Sequence, residues 1–210
     1  KRIQNRMKSI LLMIPAEQLN TEIAGALKSM QGSLDMSMRD ADSIRTAIVG
    51  DNPNDLTSKI YGCNRYEGPD AMHGTHVSGI IAASRGNGMG IDGVADNVRI
   101  MVLRAVPDGD ERDKDVANAI IYAVDNGAKV INMSFGKSYS PHQKEVAAAF
   151  EYAASKGVLC VHAAGNDGSN LDEYNNYPSS QYSFQSEPAK LFLTIGASTY
   201  HSKDQKESLP

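Results

Sequence analysis

The 210-residue chain has only two cysteines, Cys63 and Cys160, too few for a disulfide framework. Cys160 lies in an apolar, strand-like run and reads as a small core hydrophobe. There is no excess of positive charge. The formal net charge is −4 at pH 7, and no basic patch stands out, which argues against a nucleic-acid partner. No apolar run is long enough to span a bilayer. The short run "MKSILLMIPA" (7–16) has the look of a signal peptide, but Lys1, Arg2 and Arg6 precede it in a helical pattern, so it is expected to be a folded helix. The chain begins with neither Met nor a clear targeting segment and reads as a piece of something longer. What remains is ordinary for a globular protein: 41% hydrophobic and 22% charged residues, enough length for one domain with a sizeable core plus an appendage.

The first 46 residues differ from the rest. Ile10, Met13 and Ile14, then Leu19, Ile23, Leu27 and Met30, recur at helical spacing, which predicts two short amphipathic helices broken near Pro15. Residues 1–46 are expected to be a helical insertion or appendage, and 47–210 a catalytic-type domain. Turn clusters fill 47–70 ("GDNPND", "YGCNRYEGPD"). Beyond them, helices and strands alternate. His73–Ala83 reads as a helix apolar enough to be buried on every side, with His76 pointing into the packing. Val98–Val106 reads as a buried strand. Helices are expected over 113–126 and 141–156, and strands over 129–133, 158–162 and 191–195. Two junctions share one grammar, "AVDNGAKVINMS" and "AASKGVLCVHAAGN": a helix, a glycine, an apolar strand. Gly127 and Gly157 are expected to end their helices in the left-handed conformation. The predicted class is α/β: three layers, a mostly parallel sheet with helices on both faces, preceded by a short helical segment. In such sheets, functional residues gather past the carboxyl ends of strands.

Three strings fall at such places or at a helix start: "HGTH" (73–76), "NMSFG" (132–136) and "HAAGNDG" (162–168). With "GVADNVRIMVLRAV" between the first two, and in this order, the stretch from Asp70 to about Ala197 resembles the subtilisin-like serine peptidases. The resemblance implies that His73 is the catalytic base, able to take a proton from a nucleophile and return it to a leaving amine. It implies that Asn166 supplies the oxyanion-hole side chain, a neutral donor aimed where negative charge develops. Ser134, Phe135 and Gly136, and Ala163, Ala164 and Gly165, resemble the two walls of the family's primary specificity pocket. Their small side chains would leave backbone open to a substrate strand. Ser134 is not the nucleophile in this reading. "PDGDERD" (107–113) stands where the family lays an edge strand against substrate; it reads either as a preference for basic residues upstream of the cut or as a solvated loop.

Other chemistries fit less well. A metal pair of His73 and His76 lacks a third ligand and the HExxH spacing, so no metal-ligand set is expected. "GMGIDG" (88–93) matches a dinucleotide fingerprint only formally, because it follows a helix and precedes a strand. In the family this region is a loop that can carry calcium; Asn87 is one oxygen donor there, and calcium is an option that rests on resemblance alone. No other cofactor is expected.

The family's chain order is Asp, His, Ser. Here no apolar strand ends in Asp followed by Ser or Thr and then Gly. Asp51 follows "AIVG" but leads into Asn52-Pro53. The nucleophile's string, Gly-Thr-Ser-Met-Ala, is absent. The expectation is a serine endopeptidase fragment, inactive alone, with the nucleophile beyond Pro210 and the acid either upstream of Lys1 or at Asp51. The alternative is a catalytically dead, peptide-binding relative. Expected partners are a polypeptide substrate and a propeptide or protein inhibitor, and the family points to a secreted or periplasmic location.

Overall fold

The computed structural model describes residues 41–67, 70–106 and 111–198, together with positions 20, 23, 24 and 27. It divides into two compact units, Lys1–Gly62 and Cys63–Pro210. In the first, Asn20, Ile23, Ala24 and Leu27 have helical backbone, in keeping with the spacing of Ile23 and Leu27. Ile10, Met13, Ile14, Leu19 and Met30 lie outside the described residues. Helix α1 (Ala41–Val49) ends at Gly50, whose N–H donates to the Thr46 carbonyl, and the turn brings Asp51 back onto Arg45.

The second unit is built around a three-stranded parallel sheet in the order β1 (Val130–Met133), β2 (Leu159–Ala163), β3 (Phe192–Ile195). The pairing sets Ile131 beside Cys160 and Met133 beside His162, and Phe192 beside Cys160. Side chains of these residues share one face, by the two-residue alternation of a strand. Helix α3 (Asp113–Asp125) and helix α4 (Gln143–Ser155) pack on that face, burying Val116, Ile120, Val146, Phe150 and Ala153 with Met133 and Cys160. Phe150 meets Phe192 edge to face at 4.9 Å. Both cysteines are free, and burial pushes the Cys160 thiol up to about 11, as fits a packed, inert side chain.

The two helix-glycine-strand junctions fold alike. Gly127 and Gly157 have φ of 86° and 72°. The residue after each glycine donates back into the last turn, Ala128 to Ala123 and Val158 to Ala153, both at 2.9 Å. The glycine N–H groups bond Val124 and Ala154. This paired closure satisfies carbonyls that the helix leaves open and turns the chain straight into a strand.

The α/β class and the parallel sheet match the sequence reading; two finer expectations do not. Val98–Val106 has no regular secondary structure and joins no ladder, and Ile100, Val102 and Leu103 are exposed. The outer edge of β1, where a further strand would bond, has no partner strand among the described residues. Helix α2 (Met72–Ala82) has no buried residue, and His76 is exposed rather than packed. An apolar helix is buried only where other elements surround it. Helices α3 and α4 serve the first sheet face, and the second, carrying Val130, Leu193 and Ile195, is open among the described residues.

Candidate functional site

His73 stands in the first turn of α2. Asp70 holds the start of that helix: its Oδ1 accepts from the Met72 N–H at 2.9 Å, an Asx turn that satisfies one of the free helical donors. The far end is closed by the chain folding back, with Val94 and Ala95 donating to Ile80 and Ile81. His73 is exposed. Asn166 is exposed as well, three residues past the end of β2. Among the described residues, no hydrogen bond joins either of them to a common partner.

The two expected pocket walls are brought together. Ser134–Gly136 follows β1, and Ala163–Gly165 ends and follows β2, so the parallel pairing of Met133 with His162 sets the segments side by side. Asn132 Nδ2 donates to Ser134 Oγ at 2.9 Å. The buried His162 ring lies with Nε2 2.8 Å from the Phe135 carbonyl. A carbonyl can only accept, so Nε2 carries the hydrogen and donates. Burial holds His162 below the usual imidazole range, and the bond to Phe135 offsets part of that shift. Ala164 N–H is taken by the Ile195 carbonyl at 2.9 Å, which fixes the second wall to β3.

Between the walls sits Asn176, a residue the sequence reading missed. Its Nδ2 donates to the Ala163 carbonyl at 3.0 Å. A Cβ added to Gly136 would lie 2.2 Å from Asn176 Oδ1, and one added to Gly165 would lie 3.5 Å from Nδ2. Glycine at 136 is thus a condition for this amide to span the gap. Asn176 precedes Tyr177-Pro178, and Tyr177 exchanges two backbone hydrogen bonds with Lys137, at 3.0 and 2.8 Å. The only local signal was the Asn-Asn-Tyr-Pro turn composition, which says turn and nothing of what the turn approaches.

The acidic stretch 107–113 divides. Residues 107–110 lie outside the described residues. Glu111 and Asp113 are neither solvated nor turned to a substrate: both are buried, and the Asp113 carboxylate is paired with Lys137 at 2.8 Å. Asp51, in the first unit, takes both arms of the Arg45 guanidinium on Oδ2, at 2.8 and 3.0 Å, and is 2% exposed. That geometry neutralises its charge locally.

The loop after α2 is the one for which the family resemblance implies a calcium option. Asn87 Oδ1 accepts from Met89 N–H and Asp92 Oδ1 from Gly86 N–H, while the Arg85 guanidinium donates to the Gly93 and Val94 carbonyls. Asn87 Oδ1 and Asp92 Oδ1 thus each take a backbone N–H within the loop. Among the described residues no three His, Cys, Asp or Glu side chains cluster as metal ligands. No described helix is long and apolar enough to cross a membrane.

Comparison with known proteins agrees with this architecture. Residues 41–208 match the model of the subtilase family. The chain is 49% identical over 98 residues to the thermophilic serine proteinase of Bacillus sp. (strain AK1), covering 46% of this chain and 24% of that protein. It is 35% identical over 165 residues to thermitase of Thermoactinomyces vulgaris, covering 73% of this chain and 58% of thermitase. The protease domain of PatA superposes with a TM-score of 0.51 at 26% identity, over 66% of this chain and 47% of that domain. The chain therefore spans less than two thirds of the relatives it matches, and over that span it belongs to the subtilase family.

Proposed function

We propose that residues 1–210 contribute the base, the oxyanion donor and the substrate pocket of a subtilisin-like serine endopeptidase, within a polypeptide that supplies the nucleophilic serine outside this stretch. His73 removes the serine proton as the hydroxyl oxygen attacks the scissile carbonyl. The Asn166 side-chain N–H donates to the oxygen that becomes negative. The tetrahedral species collapses to an acyl-enzyme, and the leaving amine takes the proton from His73. Water then repeats the sequence and frees the acid. Ser134–Gly136 and Ala163–Gly165 line the pocket for the residue before the cut, with Asn176 between them. The Arg45 pairing of Asp51 favours a triad acid outside this chain as well. A propeptide or inhibitor that mimics substrate, and export from the cell, accompany this reading. No step passes through calcium.

One observation carries the proposal. The two walls that the family resemblance picks out, which start 29 residues apart in the chain at Ser134 and Ala163, meet across a single amide, Asn176. A serine-directed fluorophosphonate probe tests it on the full-length protein. Labelling is expected at a serine downstream of Pro210, and His73→Ala should suppress it. No labelling, with peptide binding retained, would instead support the catalytically dead relative.

A further inference from the structure

Lys137 follows the last residue of the first wall, and it is buried. Its side chain is 6% exposed, and that of Asp113, 24 positions earlier at the start of α3, is 3% exposed. Lys137 Nζ lies 2.8 Å from Asp113 Oδ1 and donates to the Glu111 carbonyl at 2.5 Å. The other carboxylate oxygen, Asp113 Oδ2, accepts from Ser140 Oγ at 2.9 Å and from the His142 N–H at 2.7 Å. The Lys137 backbone is paired with Tyr177. One ion pair thus joins three segments: the entry to α3, the whole return from the first wall to the start of α4, and the residue beside Asn176.

Such a junction has little slack. A buried ammonium cannot leave its carboxylate without losing compensation for its charge, and neither partner can reach water to recover it. An apolar contact in the same place would tolerate sliding; charge-assisted hydrogen bonds fix distance and direction. Gly136 is bonded to Lys137, and Asn176 is bonded to Tyr177. The position of the pair is therefore transmitted, through one peptide unit on each side, to the two groups whose contact closes the pocket.

We propose that the buried Lys137–Asp113 pair is a positioning junction that sets the separation of the two pocket walls, and with it the side chain that a polypeptide substrate may place between them. This rests on the assignment of those walls as the substrate pocket. Neither residue touches substrate; both act through Gly136 and Asn176.

The test uses the full-length protein and a peptide series that differs only in the residue before the cut, with kcat and KM measured separately. The variants are Lys137→Met, Asp113→Asn, the double variant, and Asn176→Ala. Each junction variant is expected to change the ratio of kcat/KM between small and large residues by about tenfold, mostly through KM, a magnitude typical of pocket-shape discrimination. The double variant removes both charges together, so it avoids an unpaired buried ion and carries the test if a single variant does not fold. A loss shared equally by all peptides, following the unfolded fraction seen by circular dichroism, would overturn the proposal by reducing the pair to scaffold. If Asn176→Ala alters the preference while the junction variants do not, only the junction proposal fails. If Asn176→Ala leaves the preference unchanged, the pocket assignment fails, and the junction with it.

Discussion

His162 shows how a single residue in this fold can serve structure while sitting in a string that suggests chemistry. It opens "HAAGNDG", yet it is 2% exposed, packed near the Phe135 and Phe192 rings, and bonded to the Phe135 carbonyl. Because burial lowers its folded-state pKa below 6.5, the unfolded chain takes up the proton first as pH falls. The stability owed to the neutral ring is therefore fully present above that value and declines as pH drops below it. Urea denaturation between about pH 5 and 8 should show this decline, and His162→Gln, which can still donate to Phe135, should flatten it. An unchanged slope in the variant would assign the dependence to other groups. At this scale the sequence was legible for residues whose position is set by neighbours along the chain. His73 at a helix start and the small residues of both walls fall in that group. It was not legible for Asn176, Lys137 and Asp113, whose partners lie 13 to 40 positions away by the contacts they make with Ala163, Gly136, Tyr177 and Glu111. Nothing local marks such a residue: the same Lys after Phe-Gly could as well be a solvated surface charge.

Elements were read well where the signal is the local backbone. Helices α3 and α4 and all three strands lie within two residues of the expected bounds, because a left-handed glycine stops each helix and an apolar run follows at once. Gly157 carries much of this at the second junction, with φ of 72° and no side chain within 4 Å of an added Cβ. The penalty for alanine there is conformational rather than steric crowding, about 1–2 kcal/mol, and chemical denaturation of Gly157→Ala should show a loss of that size with an unchanged m-value. A loss near zero would mean that the junction relaxes without the left-handed turn. Where burial depends on other elements, periodicity misled. The apolar helix α2 and the apolar segment 98–106 carry the composition of buried elements, but burial needs a partner surface, and composition does not say which one. Among the described residues, neither is enclosed.

For the whole molecule, the described structure joins a well-formed half-core to apolar surfaces that remain open. Val130, Leu193 and Ile195 on the second sheet face are 58%, 49% and 52% exposed, whereas Met133, Cys160 and His162 on the first face are buried. Soluble domains rarely leave a sheet so one-sided. The proposed chemistry has the same imbalance, since His73, Asn166 and the two segments assigned as pocket walls stand without a serine string of the family among residues 1–210. Both are expected if catalysis belongs to a larger assembly of the polypeptide than this stretch. The claim on which the account turns is that Asn166 donates to the oxygen developing charge on a substrate carbonyl. Its most direct test is peptide hydrolysis by the full-length protein with Asn166→Ala. The account predicts a fall in kcat of about 10²–10³ with KM nearly unchanged, a magnitude carried over from subtilisin, because the bond forms in the transition state and not before. A kcat within about threefold of the parent protein would contradict it.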